Sequence, residues 1–278
     1  MKRMKCATKD FTEADLPSNR KEMFFDCYKQ QFPLILRLGF LCLLLLLPML
    51  VVLFFRDLYV LSALESLEKQ TPENVAEIYT SANVVFGLME MAAAEIFFVL
   101  LSGIMQIVRQ LCWGEPVFFA DDFKRGLKEN ALRFGLVGLV IAVLGYVVGL
   151  TANSNYSFLL YGIFVVVFVP LSIWILLQSL YYTLKWNKLI KNASVYFVRT
   201  LPVTIGMLAI TVLPFYLVTS FVTDMLLKYL LLVVLAAIIV VPITMMWILY
   251  GLKTFDEYIN KRAFSDMYRK GLRSEDIA

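Results

Sequence analysis

The 278-residue chain contains no histidine. That absence removes the commonest metal ligand and the usual near-neutral general base. Charge is scarce too: Asp, Glu, Lys and Arg supply 17% of the residues, where a soluble domain has about a quarter. Cysteine is limited to Cys6, Cys27, Cys42 and Cys112, with no CxxC pair and no zinc-like spacing. No nucleophile motif, phosphate-cradling glycine loop or interleaved aromatic-basic surface occurs. These gaps count against His-dependent hydrolysis, metal chemistry and nucleic-acid binding. The chain reads as a non-enzyme with no catalytic residue, no metal and no cofactor.

What is abundant is apolar. Hydrophobic residues make up 60% of the chain and the mean hydropathy is +0.74. A soluble surface cannot hide that much apolar area, so the lipid bilayer is the expected solvent. A membrane span needs roughly 20 mostly apolar residues, and six stretches qualify: 33–55, 84–108, 131–150, 158–182, 201–222 and 226–252. The last two are separated by a few residues that include Asp224 and Lys228, which implies a tight helical hairpin. The first stretch is too long for a signal peptide and lacks a small-residue cleavage site.

Basic residues fix the expected orientation, because Lys and Arg resist translocation. With six alternating spans, 23 of the 26 Lys and Arg fall on one side, and only Arg56, Lys69 and Lys228 on the other. The fold class expected is therefore an all-α polytopic membrane bundle of six transmembrane helices, both termini cytoplasmic, with amphipathic cytoplasmic helices. It divides into a cytoplasmic N-terminal segment (1–32), the transmembrane domain (33–252) and a cytoplasmic tail (253–278). No cysteine then faces the outside, so structural disulfides are not expected. Trp113, Trp186 and Trp247 fall near the inner ends of even-numbered spans, at headgroup level, whereas Trp174 reads as a ring packed inside the fourth span. The outer segment 56–83 carries Asp57, Glu65, Glu68, Glu73 and Glu77 and reads as a small solvated cap with a short helix in LSALESLEK. The N-x-S matches at Asn155 and Asn192 are discounted, the first lying at the membrane surface and the second inside.

The spans carry three features that bear on function. Glu95 lies about midway along the second span, with Glu90 five residues nearer its outer end; a carboxylate at that depth must pair, face other helices or be protonated, and is a candidate relay or coupling acid. Pro48, Pro170, Pro214 and Pro242 interrupt four spans and predict kinks. Gly138, Gly145 and Gly149 share a face of the third span, the last two as GxxxG, and predict close helix packing or a homodimer face. On the inner side, Phe119, Phe123 and Leu127 recur every four residues with Lys124, Arg125 and Lys128 between them, which predicts a helix along the membrane surface. FKRGLKENAL before the third span and WNKLIKNASV before the fifth look like a repeated unit, and Phe255, Tyr258 and Ile259 opposite Lys261 and Arg262 repeat the idea in the tail.

The loop IVRQLCWGEPVFFADDFKRGLKEN and the tail FDEYINKRAFSDMYRKGL resemble the corresponding parts of the YesL-like family of bacterial integral membrane proteins. The matching positions are Trp113, Gly114, Glu115, Phe119, Asp122, Phe123, Gly126, Lys128 and Asn130, then Phe255, Asp256, Tyr268 and Gly271. That family has no established activity, and its genes often lie beside carbohydrate ABC-transport genes. The resemblance implies a multi-pass protein of the bacterial plasma membrane, an accessory role with ABC transporter subunits, and Trp113, Glu115, Asp122, Phe123, Lys128 and Asn130 as its contact loop. The segment FVRTLPVT echoes the coupling loop of ABC permeases but lacks its E-A-A, so the chain is not itself expected to couple to an ATPase. The alternatives are a secondary transporter using Glu95, or a structural membrane protein.

Overall fold

The computed structural model describes residues 16–273 except 68, 152, 153 and 155; Cys6, Glu68 and Asn155 lie outside the described residues. All regular structure among the described residues is helical. A short α1 (Arg20–Gln30) precedes α2 (Phe32–Glu65), α3 (Pro72–Trp113) and α4 (Phe119–Leu150). These are followed by α5 (Ser157–Tyr181), α6 (Trp186–Arg199), α7 (Leu201–Phe221) and α8 (Met225–Ala263). All but α1 and α6 are long and apolar enough to cross a membrane, and the chain is a multi-pass helical membrane bundle.

Local chemistry sets the helix ends. Asn19 caps α1 by accepting from the backbone N–H groups of Lys21 and Glu22 (3.0 and 2.9 Å). Ser18 donates to the Glu22 carboxylate through its hydroxyl and N–H, which holds that carboxyl below its ordinary pKa. Gly114, at φ 68°, closes α3 in the left-handed conformation that glycine adopts without strain. Thr200 ends α6, because Pro202 in the first turn of α7 has no N–H and its ring would clash with the Val198 carbonyl in a continuous helix. Pro170 follows a π-helical turn at Phe164–Phe168 in α5, and Asp256–Asn260 form a second such turn in α8.

Two expectations change in form. LSALE is the last stretch of α2, and α3 opens at Pro72 after the Thr71 cap, so the acidic outer cap is made of prolonged spans joined by a turn. The 42 residues of α3 measure about 63 Å, against a hydrocarbon core of roughly 30 Å. FKRGLKENAL, expected along the membrane surface, is the first part of α4 and stands against α3. The reason is close backbone approach. A Cβ on Gly126 would sit 2.6 Å from the Ser102 carbonyl, and one on Gly103 would sit 2.5 Å from the Phe123 ring. WNKLIKNASV, by contrast, forms the separate amphipathic α6. The two similar stretches therefore have different structural roles.

The core is concentrated where the chain ends meet. Buried positions cluster at 102–112 of α3, 174–181 of α5 and 241–255 of α8. Trp174 is fully buried, with ring centroids of Tyr196, Tyr250 and Phe255 at 5.4, 5.6 and 6.1 Å. Trp247 is buried, and its Nε1 donates to Thr211 Oγ1 (2.9 Å), tying α8 to α7. Higher up, α2 and α8 cross where a Cβ on Gly39 would collide with the Ala237 carbonyl. The Arg273 N–H donates to the Pro17 carbonyl (3.0 Å), so both ends of the described chain lie at one end of the bundle. It also holds α1, the 114–118 turn, α6 and the tail, and is called the basic end below.

Candidate functional site

At the basic end a buried polar chain joins three helices distant in sequence. Arg20 and Asp256 are each 8% exposed. Arg20 Nη2 donates to Asp256 Oδ2 at 2.7 Å, and Nη1 to the Lys270 carbonyl at 2.8 Å. Asp256 Oδ1 accepts from Asn260 Nδ2 (2.8 Å) and from the Arg269 N–H (3.3 Å). Asn260 Oδ1 in turn accepts from the Tyr182 hydroxyl (2.6 Å). Burial, reinforced by Tyr196 and Asp256, pushes the Tyr182 phenol above its ordinary pKa, so it remains a donor. The π turn puts Asp256 and Asn260 in this chain, and both carboxylate oxygens of Asp256 are satisfied, as a buried charge requires.

A second clasp closes around Trp113. Lys270 Nζ pairs with Glu115 Oε1 at 2.6 Å and lies 3.9 Å from the Trp113 ring centroid. The Arg109 guanidinium is 5.0 Å from the same ring and donates to the Leu180 carbonyl (2.7 Å). Gly271, at φ 79°, lets the tail pass: a Cβ there would sit 2.8 Å from Met23 and 3.0 Å from the Trp113 carbonyl. Cys27 Sγ donates to the Leu111 carbonyl (3.4 Å), and burial pushes its thiol up to about 11. A cavity of about 400 Å³ lies between α1 and the 114–117 turn.

The remaining loop residues have local roles. Asp122 caps α4 by accepting from the Phe118 N–H (2.7 Å) and pairs with Arg125 (2.7 Å). Phe123 covers Gly103, Asn130 is buried, and Lys128 is exposed. Sequence reasoning missed Arg20, Tyr182, Asn260 and Lys270. Arg20 and Lys270 are 250 positions apart, and no local pattern links them.

The two candidate acids part company. Glu90 accepts from Arg56 Nη1 (3.0 Å), Arg56 approaches Asp57 (3.5 Å), and Asp57 takes Lys228 and the Tyr229 hydroxyl (3.1 Å). Arg56 and Glu90 of this network line a cavity of about 600 Å³ between α2, α3, α4 and α5, together with Asn83, Tyr146 and Tyr161. Glu95, about 7.5 Å deeper along α3, is outside that cavity. It lies in a shallow groove against α4 with Val99, Gly135 and Leu136, and its buried Oε2 has no partner. No basic side chain lines this groove.

The three glycines separate as well. A Cβ on Gly138 would sit 2.5 Å from Phe98 of α3, a real close approach, whereas at Gly145 the nearest atom is 3.4 Å away on Phe164 of α5. A Cβ on Gly149 would meet nothing within 4 Å, although its carbonyl accepts from Asn83 Nδ2 at 3.1 Å and the residue lines the 600 Å³ cavity. Among the described residues no group of three His, Cys, Asp or Glu side chains is placed to hold a metal ion. No protein-family model, curated protein or solved structure matches the chain.

Proposed function

We propose that this is an accessory membrane subunit whose basic end faces the cytoplasm and docks a component of a solute transporter, carbohydrate ABC transporters being the context that the YesL-like resemblance supplies. The observation that carries the reading is the locking of α1, the 114–118 turn and the tail into one surface by Arg20–Asp256 and Lys270–Glu115. A surface so fixed loses little conformational entropy when a partner binds. A photo-crosslinker placed at Pro116 in the bacterial membrane tests this. Capture of an ABC permease or its ATPase supports it, and capture of nothing but this chain overturns it.

A secondary transporter is the second reading, favoured by the 600 Å³ cavity that the Arg56–Glu90 pair lines. Proton-coupled uptake into proteoliposomes would be lost in Glu90→Gln if Glu90 couples, and in Glu95→Gln if the deeper acid does. Full uptake in both variants rules out the coupling role. A homodimer through the GxxxG face of α4 would be seen as cysteine cross-linking in Gly149→Cys. A purely structural protein would fail all three experiments.

A further inference from the structure

A slot and a basic pocket adjoin at the basic end, and both are lined by Arg20, Lys21 and Lys253. The slot, about 410 Å³, lies between α1, α7 and α8, and its walls are apolar: Phe24, Phe25, Met207, Met246, Leu249 and Tyr250. From Met246 to Lys253 it runs about 10 Å along α8, the depth of the boundary between headgroups and acyl chains. Phe25, at its lip, is 57% exposed, as a lipid-facing ring is. The pocket, about 660 Å³, adds Lys261 and Arg269 to the shared cations. Against them stand Asp256, already neutralised by Arg20, and Glu257. Among the described residues Lys21, Lys253 and Lys261 take part in no ion pair. Arg20, nine-tenths buried, lines both spaces, and its Nε has no partner.

We infer that this is a specific site for one anionic phospholipid, its phosphate headgroup among Lys21, Lys253 and Lys261 and the upper part of an acyl chain in the slot. Neither half explains the other: a soluble phosphate has no use for an apolar slot, and a zwitterionic lipid gains little from unpaired cations. The inference needs only the membrane bundle and is independent of the docking reading.

The test uses the full chain, purified in mild detergent, stripped of lipid and titrated with phosphatidylglycerol or phosphatidylcholine while bound lipid is counted by native mass spectrometry. One phosphatidylglycerol is expected to stay bound where phosphatidylcholine does not. The double variant Lys21→Gln, Lys253→Gln is expected to lose about thirtyfold in phosphatidylglycerol affinity, about 2 kcal/mol at roughly 1 kcal/mol per lysine. Met207→Trp, which fills the slot and leaves the cations alone, is expected to lose binding as well. Equal retention of the two lipids, or undiminished phosphatidylglycerol binding in both variants, overturns the inference. So does full displacement by free glycerol 1-phosphate, which would make the site one for a soluble phosphate. Both lysines are exposed, and the single variant Lys21→Gln provides the same reading if the double variant does not fold.

Discussion

The two ends of the bundle are built differently. The basic end is knit by buried polar groups and stacked rings, with Arg20, Asp256, Asn260 and Tyr182 in one hydrogen-bonded chain beneath Trp174 and Phe255. The opposite end has half-exposed ion pairs such as Arg56–Glu90 around an open cavity. Burial makes the difference, since a pair in water contributes little and a broken buried pair leaves an uncompensated charge. The contrast is that of a rigid base under a looser rim, and rigidity is what a docking surface needs.

The comparison breaks most visibly at Arg20. Arg20→Met leaves Asp256 buried without its cation and is expected to destabilise the protein by about 3–5 kcal/mol, read as a large drop in melting temperature in detergent. Cys27 offers a chemical reading of the same end. With its thiol held at about 11 instead of 9.0, alkylation at pH 8 should run about 100-fold slower than in the unfolded chain. Site-resolved labelling followed by mass spectrometry measures this. The sign follows from the raised pKa: the thiol's contribution to stability is complete below about pH 9 and is lost as pH rises towards 11. Rapid labelling at neutral pH would show that the base is open.

A smaller effect is expected where α3 meets α4. Gly126→Val forces the two backbones apart and should cost roughly 1–3 kcal/mol, with Gly149→Val, in open space, as the silent control in the same melting assay. Smallest of all, Glu90→Gln at the rim should cost roughly 0.2–1 kcal/mol and should shrink further in high salt. A loss there as large as that of Arg20→Met would abolish the distinction between base and rim.

The apolar centre of each span was legible because hydropathy reports the solvent a residue prefers. Helix length was not, since charged residues such as Glu65 and Lys124 continue a helix as well as leucine does and hydropathy is blind to that. The 114–118 turn and Asp256 drew notice through the resemblance, yet their partners did not. Arg20 looks like any basic residue before a first span, and Tyr182 like any aromatic at an interface; only the fold brings them to Asn260 and Asp256. Glu95 stood out for its depth, but periodicity could not reveal that Gly135 leaves it a niche beside α4, apart from the cavity that holds Glu90.

The widened turn at Asp256–Asn260 makes the tail's attachment a matter of phase. Each residue added to or removed from a helix rotates all that follows by about 100°. Wound as a regular α-helix, the same residues would swing Arg269, Lys270 and Gly271 to another side of the axis, out of register with α1 and Trp113. The odd residue thus works as an angular key: the tail docks because the helix that carries it is one step out of step.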